Sequence, residues 1–452
     1  MKTLPDTFIF ILCSLLLISA PLLYSGKTAL TLMILEYLGL GLLCFTLWLV
    51  PITQKLHLPV ALFLTLSILA AISYLLPIPE NYWHLLPHHE FYTEVVDWLK
   101  SKNITPTFTL SLIPNETQKS LLTLIPAIAI FLATSHFEKN HLKQLVMIFL
   151  GVASLEAALG LIQYSSNNPD FFFGIKANGN AAQGTYFNRD HFAFLMETCL
   201  PFSISYTLHS IGKHKKMDSS YFSFKSNQFL IFISISLLIV LGGIFSLSRT
   251  GILLIAAAIL LSSVFFARHI GGRQSASITG IISTITIGFI TSIGLIPILN
   301  RFIEQDPLAD GRWDIWQYTI VGIKAFFPVG SGPGTFPDVY RAFQPLEQQG
   351  FINHAHNDYL ELMFDMGLAG MVIIGGFFLL YLYGWVKLWD KPWDEEHLMQ
   401  NAAGISILLL LLHSLTDFNL HTPANMIIFG FLCAIFFRKT TQKPRRKMHK
   451  SQ

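Results

Sequence analysis

The sequence is poor in charged residues, which make up only 13% of its 452 residues. Soluble globular proteins carry about 25%, because these side chains face water. The 27 Asp and Glu are outnumbered by 38 Phe, and hydrophobic residues reach 52% of the chain. This composition excludes an ordinary soluble enzyme, a disordered chain and a collagen-like repeat. It predicts an all-α polytopic membrane protein, with residues 1–452 forming a single integral membrane domain.

Cysteine is also scarce. The four cysteines lie within apolar runs: Cys13, Cys44, Cys199 and Cys433. A thiol in such a run behaves as a small hydrophobic group, so we expect no disulfide framework. The close histidines of PHH (87–89) and HAH (354–356) lack the Cys or carboxylate spacing of a standard ligand set. We therefore expect no metal and no cofactor.

Long apolar stretches recur along the whole chain, and roughly 20 apolar residues suffice to cross the hydrocarbon core of a bilayer. We predict twelve membrane-spanning helices. Their approximate bounds are 7–23, 29–50, 58–76, 120–137, 144–163, 192–212, 228–246, 250–267, 277–299, 367–386, 399–415 and 424–437. The first resembles a signal peptide but lacks a clear small-x-small cleavage site, so we expect it to be retained.

The placement of Lys and Arg predicts the orientation, since cytoplasmic loops are enriched in these residues. If both termini are cytoplasmic, 19 of the 30 Lys and Arg lie on the cytoplasmic side. Seven of them are in the basic tail, 438–452, and the other twelve are in the N-terminal segment and the loops. The outer, periplasmic face then holds two long loops, 77–119 and 300–366, and a shorter polar segment, 164–191. Cytoplasmic loops are short and carry no nucleotide-binding signature. We therefore expect any chemistry on the outer face.

The stretch from Phe351 to Met371, FINHAHNDYLELMFDMGLAGM, is the richest in polar side chains and runs into the tenth span. We expect Asn353 to cap this helix, which places His356 in its first turn. A neutral imidazole there can accept a proton from an attacking hydroxyl group. His354, two residues earlier, is a second candidate for that role. The alternative is an interfacial histidine satisfied by backbone groups or water.

The turn FSLSRTG, from Phe245 to Gly251, joins the seventh and eighth spans. It carries Arg249, the only charged residue between Lys225 and Arg268. An arginine between two apolar helices is costly without a partner or ligand, and its guanidinium matches phosphate in bidentate fashion. The alternative is snorkelling to lipid phosphates.

The stretch from Asp310 to Phe336 predicts an amphipathic helix on the outer leaflet, with Arg312 in its first turn. Its apolar side chains recur at helical spacing: Trp313, Trp316, Ile320, Ile323 and Phe327. Glycines follow at 330, 332 and 334. Their N–H groups can bind phosphate or simply form a structural turn, and the loop lacks the GK[ST] ending of a P-loop.

Two further sets of polar residues lie near or within spans. In GTYFNRDHFAF, from Gly184 to Phe194, Arg189 and His191 flank Asp190, and Arg189 pairs either with this acid or with a ligand. Carboxylates also lie inside spans: Glu36, Glu156 and Glu197. Such groups serve as proton relays or helix contacts, so a transporter or lipid flippase is an alternative function. We find no repeat of one half of the chain in the other, which inverted-repeat transporters often show.

Together these segments resemble the bacterial O-antigen ligase superfamily, which includes O-antigen and exopolysaccharide polymerases and protein O-oligosaccharyltransferases. The family signature is HN, nine residues, then GxxG. Here it is matched by His356-Asn357, residues 358–366 and Gly367-Leu-Ala-Gly370. SLSRTG, the GR…W…P-GSGPGTF segment, NRDHFAF and HSLTDFNLHTP are similar to other family stretches. The resemblance covers residues 185 to 425, approximately.

The resemblance implies a GT-C-like fold and a metal-independent, inverting membrane glycosyltransferase of polysaccharide biosynthesis. Its glycan would come from an undecaprenyl-diphosphate-linked donor at the periplasmic face of the bacterial inner membrane. A ligase transfers it to lipid A–core of lipopolysaccharide, and a polymerase to a second lipid-linked glycan. Neither involves nucleic acid.

Carried over position by position, the resemblance makes His356 the general base and places the donor diphosphate at Arg249 and Arg312. Arg189, His354 and Asn357 are secondary candidates.

Overall fold

The computed structural model describes residues 4–49, 56–166, 181–212, 219–270, 272–293, 311–389 and 394–439, with residues 296 and 300. Within these ranges the chain forms sixteen α-helices and no strand. They are α1 Leu4–Leu22, α2 Ala29–Leu49, α3 Leu58–Ser73, α4 Glu80–Trp83, α5 Thr93–Ser101, α6 Pro114–His136, α7 Lys139–Ser166, α8 Arg189–Gly212, α9 Ser219–Phe245, α10 Arg249–Ile270, α11 Gly272–Ile293, α12 Arg312–Phe326, α13 Phe336–Val339, α14 Asp358–Trp389, α15 Glu395–His413 and α16 Pro423–Phe436.

Each of the twelve apolar segments found in the sequence coincides with one of the longer helices, α1–α3, α6–α11 and α14–α16. Six helices have the length and apolar composition to cross a membrane. They are Ala29–Leu49, Pro114–His136, Lys139–Ser166, Asn227–Phe245, Arg249–Ala267 and Asp358–Trp389. The protein is therefore a polytopic helical membrane protein. Most of the predicted tail, residues 440–452, and part of the predicted loop, 301–310, lie outside the described residues.

Helices α8 and α15 carry polar side chains inside the bundle, where protein, not lipid, surrounds them. α8 packs against α9, α10 and α15, and its residues 191–208 are all buried. In α15 nearly every side chain from Glu396 to Leu411 is buried. A helix that contacts other helices can carry Ser, Thr, Glu and His, provided that each finds a partner there. The buried polar side chains of these two helices form a polar region inside the bundle.

Ion pairs gather several helix ends at one end of the bundle. Glu395, at the start of α15, lies 3.7 Å from Lys139 and 2.6 Å from Lys143 at the start of α7. Just after α16, Arg438 lies 2.8 Å from Glu396 and donates a hydrogen bond to the carbonyl of Phe137. In the predicted topology, these same helix ends lie on one side of the membrane.

Helix α14 is broken at Gly367, and the break receives a loop from another part of the chain. Gly367 has φ 51° and ψ −127°, a conformation that side chains other than hydrogen disfavour. The N–H of Leu368 donates to the carbonyl of Pro328 at 2.8 Å, and the N–H of Gly332 donates to the carbonyl of Asp365, also at 2.8 Å. The GxxG glycine is therefore needed to admit the loop that follows α12.

The glycine loop after α12 is held by its own backbone donors. Besides the bond from Gly332, the N–H of Gly334 donates to the carboxylate of Asp365 at 2.6 Å. Tyr74 holds the loop from the other side, through a hydroxyl that donates to the carbonyl of Val329. The N–H of Gly330 donates to the carbonyl of Phe326 at 3.0 Å. All three glycine N–H groups are thus engaged within the protein, which supports the structural reading of this loop.

Helix α12 has two apolar faces. The face toward α14 consists of buried residues: Ile315, Thr319, Gly322, Ile323 and Phe326. The other face is exposed and includes Trp313, Ile320, Val321 and Phe327. The predicted helix is present, and Trp313, Ile320 and Phe327 of its predicted apolar stripe are exposed. Trp316 is half-buried and Ile323 packs inside the protein.

We expect Gly367→Ala to destabilise the fold, because a Cβ at this position would lie 2.3 Å from the carbonyl oxygen of Pro328 at a positive φ. Backbone strain of this kind costs about 1–3 kcal/mol. Gly375→Ala in the same helix is the matched control, since a Cβ there meets nothing within 4 Å. Thermal unfolding in detergent should show a clear loss for the first variant and little change for the second. Equal midpoints would contradict the role of the break.

Candidate active site

Asn357, not Asn353, caps the helix that follows the histidines. Its side-chain oxygen accepts hydrogen bonds from the N–H groups of Tyr359 and Leu360, both at 3.0 Å, and its amide nitrogen donates to the carbonyl of Leu415. Helix α14 therefore begins at Asp358. The predicted cap at Asn353 was wrong, and so was the placement of His356 in the first turn. His356 precedes the cap.

His356 is held in place by a buried carboxylate. Its backbone has φ 49°, which is uncommon for a residue with a side chain and is often found at functional sites. Its Nδ1–H donates to Oδ1 of Asp417 at 3.1 Å, and Asp417 is 1% exposed. The imidazole of His356 is 26% exposed. This hydrogen bond leaves Nε2 with its lone pair, the form that a general base requires.

Asp417 is a carboxylate in this environment. Burial by itself raises the pKa of Asp417, but the hydrogen bond from His356 and the nearby charge of Arg312 hold it well below its usual range. The N–H of Phe418 also donates to Oδ1 at 3.0 Å. A fixed negative charge beside Nδ1 orients the imidazole and stabilises the imidazolium that forms on proton transfer.

The three candidate arginines all occupy the first position of a helix. Arg189 begins α8, Arg249 begins α10 and Arg312 begins α12. The N-terminus of a helix presents unpaired N–H groups and a partial positive charge, and both attract anions. Arginine at such a position adds a full positive charge with bidentate donors.

Specific contacts bring these helix starts toward Asp417. Nη2 of Arg312 lies 3.9 Å from Oδ2 of Asp190, the second residue of α8. The hydroxyl of Thr250, next to Arg249, hydrogen-bonds to that of Thr416 at 3.0 Å, immediately before Asp417. The structure thus gathers the starts of α8, α10 and α12 around the residue that holds His356.

His191 belongs to the same cluster but is not a surface ligand group. It is fully buried, its Nδ1 lies 2.8 Å from the hydroxyl of Thr422, and its Nε2 lies 4.0 Å from Oδ2 of Asp417. Its ring also packs edge-on against Phe418, with centroids 4.7 Å apart. His191 therefore packs against the segment that contains Asp417 and Phe418.

A second histidine–carboxylate network lies beside the first. Nδ1 of His354 donates to Oε1 of Glu361 at 2.8 Å, and the N–H of Ala355 donates to Oε2. His421 lies between two carboxylates, with Nδ1 2.8 Å from Asp358 and Nε2 3.2 Å from Glu361. Burial lowers the pKa of His421, but the charge of Glu361 and the hydrogen bond to Asp358 outweigh it and raise the pKa to about 10.

Phe418 separates the two networks. Its ring stacks on His354 with centroids 4.2 Å apart and meets the edge of His356 at 4.9 Å. On one side lie His356, Asp417 and the helix that begins at Arg312. The acid-rich second network lies on the other side. His354 therefore has its own carboxylate partner and does not share Asp417 with His356.

An apolar groove leads away from the second network. It lies between α3, α6, α14 and α16 and has a volume of about 520 Å³. Its polar end includes His354, Asp358 and His421, and its far end includes Phe377 and Phe437. Along α14 the groove extends from Asp358 to Leu380, which is roughly 30 Å at the rise of an α-helix. That length matches the hydrocarbon thickness of a bilayer, about 30 Å.

Two of the intramembrane carboxylates have partners. Glu197 of α8 lies 2.9 Å from Nδ1 of His413 at the end of α15, and both side chains are buried. Glu156 of α7 accepts a hydrogen bond from the N–H of Thr185 at 2.8 Å. These acids connect helices and loops within the bundle.

Sequence reasoning missed Asp417, Glu361 and His421 as functional residues. All three lie in stretches already noted, HAHNDYLE and TDFNLH. The available signal was the presence of acids and a histidine at the edge of apolar spans, where an unpaired charge is costly. Their partners are distant in sequence, and only the fold reveals the pairing.

One comparison with known proteins gives a match. Residues 234–375 match the family model described as O-Antigen ligase. This interval contains Arg249, Arg312, His356 and the GxxG glycines, and it ends before Asp417. The match confirms, for residues 234–375, the resemblance that the motifs predicted. No curated protein matches the chain.

We expect His413→Ala to destabilise the bundle strongly, because it leaves Glu197 buried without its partner. Breaking a buried ion pair costs about 3–5 kcal/mol. Ser406→Ala is the matched control, since it removes a neutral hydrogen bond of 2.6 Å between the same two helices, to the carbonyl of Thr198. That loss should cost about 1 kcal/mol. Thermal unfolding in detergent compares the two, and equal shifts would argue against a charged pair.

Proposed function

We propose, from the membership of residues 234–375 in the O-antigen ligase family, that this chain transfers a glycan from an undecaprenyl-diphosphate-linked donor to an acceptor hydroxyl. The observation that carries the proposal is the His356–Asp417 pair beside three helices that each begin with arginine. The reaction takes place at the periplasmic face of the bacterial inner membrane, in a GT-C-like bundle of twelve spans whose termini are both cytoplasmic.

His356 is the general base of the proposed reaction. Its Nε2 removes the proton from the acceptor hydroxyl as the oxygen attacks the anomeric carbon of the donor sugar. Asp417 keeps Nδ1 protonated and stabilises the resulting imidazolium. The bond from the anomeric carbon to the diphosphate breaks on the opposite face, so the configuration inverts. The transfer step itself needs no metal, because cationic side chains stabilise the leaving group.

Arg249 and Arg312 bind the donor diphosphate, and Arg189 adds a third positive charge at the rim. Charge develops on the diphosphate as the glycosidic bond breaks. Preorganised cations and helix N-termini are most effective where charge develops in the transition state. Asp190, 3.9 Å from Nη2 of Arg312, and Asp417 balance the charge of Arg312 in the absence of substrate.

The groove between α3, α6, α14 and α16 offers a place for the hydrocarbon chain of a lipid-linked substrate. Its length matches the bilayer, and its lining is mostly apolar with a polar end near His354. A lipid-linked glycan needs such an arrangement, because its chain stays in the hydrocarbon while its sugar reaches the surface.

We propose lipid A–core as the acceptor, which makes the protein ligase-like. Purified protein supplied with the lipid-linked donor and lipid A–core should then produce glycosylated lipid A–core. Elongation of the lipid-linked donor in the absence of lipid A–core would instead identify a polymerase. A protein acceptor is the third possibility, and transfer only to an added acceptor protein would identify it.

We expect His356→Ala to lower the rate of glycan transfer from purified donor by about 10²–10⁴-fold, the usual contribution of a general base. Asp417→Asn should lower the rate through His356, since the amide no longer accepts from Nδ1–H with a full negative charge. Glu36→Gln is the control, because Glu36 lies on α2 away from the site. A transporter or flippase relying on its intramembrane acids would show the reverse pattern, with Glu36→Gln inactive and His356→Ala active.

We expect Arg249→Lys to weaken donor binding although it preserves the charge, because lysine lacks the bidentate fork. The loss of one charge-assisted hydrogen bond corresponds to about a 10- to 100-fold rise in the KM for the donor. Arg341→Lys is the control, since Arg341 packs over Phe351 at 4.6 Å and is not one of the helix-start arginines. An unchanged KM in Arg249→Lys would remove the diphosphate role.

A further inference from the structure

We propose that His354, Glu361 and His421 form a binding site for one divalent transition-metal ion, with Zn²⁺ the best match to the ligand types. Two imidazoles and one carboxylate are a ligand set that zinc accepts readily. The site does not depend on the proposed transfer reaction. Sequence spacing gave no indication of it, because His421 lies in a separate segment before α16.

The ligand atoms are close enough for a single ion. One ligand atom from each residue lies within 4.8 Å of the others. Oε1 of Glu361 is 2.8 Å from Nδ1 of His354 and 3.2 Å from Nε2 of His421. Zinc bonds of about 2.0–2.2 Å in a tetrahedral arrangement place ligand atoms roughly 3.3 Å apart. The two distances to Glu361 lie near this value, so small side-chain movements would bring the ligand atoms into position around one ion.

The residues around these ligands form the outer shell of a metal site. Nδ1–H of His421 donates to Oδ1 of Asp358 at 2.8 Å, while its Nε2 faces the proposed ion. Metal-bound histidines commonly donate their second ring N–H to a carboxylate in this way. Oε2 of Glu361 is fixed by the N–H of Ala355 at 2.8 Å, which directs Oε1 toward the histidines.

Charge balance also favours a divalent ion. Asp358 and Glu361 are 5% and 1% exposed, and buried carboxylates require neutralisation. In the described part of the chain, the ion pairs of these two acids are with His354 and His421. A divalent ion bound by the neutral imidazoles of His354 and His421 would supply the two positive charges that these carboxylates require.

The ion would connect three segments near the reaction centre. His354 precedes α14, Glu361 lies in its first turn, and His421 ends a 3₁₀-helix, Asn419–His421. His356 and Asp417 lie just beyond these ligands, on the other side of Phe418. The ion would therefore connect the start of α14 to the segment before α16. His354 and His421 also line the groove.

The test is the metal content of the full-length protein, purified in detergent through a tag without histidine and dialysed against metal-free buffer. We expect about one zinc ion per chain by mass spectrometry of the elements. After removal of zinc and addition of Co²⁺, we expect the visible absorption bands of low-coordinate cobalt. Glu361→Gln and His421→Ala should lose both signals. His84→Ala should retain them, although His84 also pairs with a carboxylate, Glu80, at 3.4 Å.

Wild-type protein without metal and without cobalt absorption at saturating Co²⁺ would overturn the proposal. It would mean that protons on the two histidines neutralise the acids. Retention of metal in His421→Ala would overturn it equally. His354→Ala, at a half-buried position, provides a second ligand variant if His421→Ala does not fold. Metal content is measured without any transfer assay, so a failure here is distinct from a failure of the proposed function.

Discussion

The need to neutralise charge inside an apolar bundle determines how the end of the bundle around Asp417 is built. A charged side chain among helices that face lipid is stable only beside a partner. Glu197 meets His413, Asp417 meets His356, and Glu361 meets His354 and His421. Except for His354 and Glu361, which are seven residues apart, these pairs connect segments that are distant in sequence. The pairs therefore hold helices together, and their positions determine where titratable side chains lie close to one another.

The consequence is a site with two unlike halves. On one side of Phe418 three helix starts provide arginines, and a carboxylate orients a single exposed imidazole. On the other side acids predominate, and an apolar groove begins. An anionic leaving group and an apolar chain need opposite surroundings. One aromatic ring, in contact with His354 and His356, keeps these surroundings apart within a few ångströms.

The sequence predicted the bundle well, because lipid-facing helices need long apolar runs and such runs are visible without a structure. All twelve apolar segments coincide with helices. Arg249, Arg312 and His356 could be proposed from the sequence because an isolated charge or a histidine at the edge of an apolar span is conspicuous. The cap was assigned to Asn353 because the turn at His356, with its positive φ, has no glycine to indicate it. Asp417 was missed because its partner lies 61 residues earlier.

The distances along the chain also set an order of assembly during synthesis. Arg189, Arg249 and Arg312 are made first, His356 follows, and Asp417 and His421 come only before the final helix, α16. At translation rates of about 5–20 residues per second, His356 waits seconds for its carboxylate. The loop after α12 likewise waits for the broken helix that receives it. A nascent chain therefore completes the His356–Asp417 pair and the second histidine–carboxylate network only at the end of its synthesis.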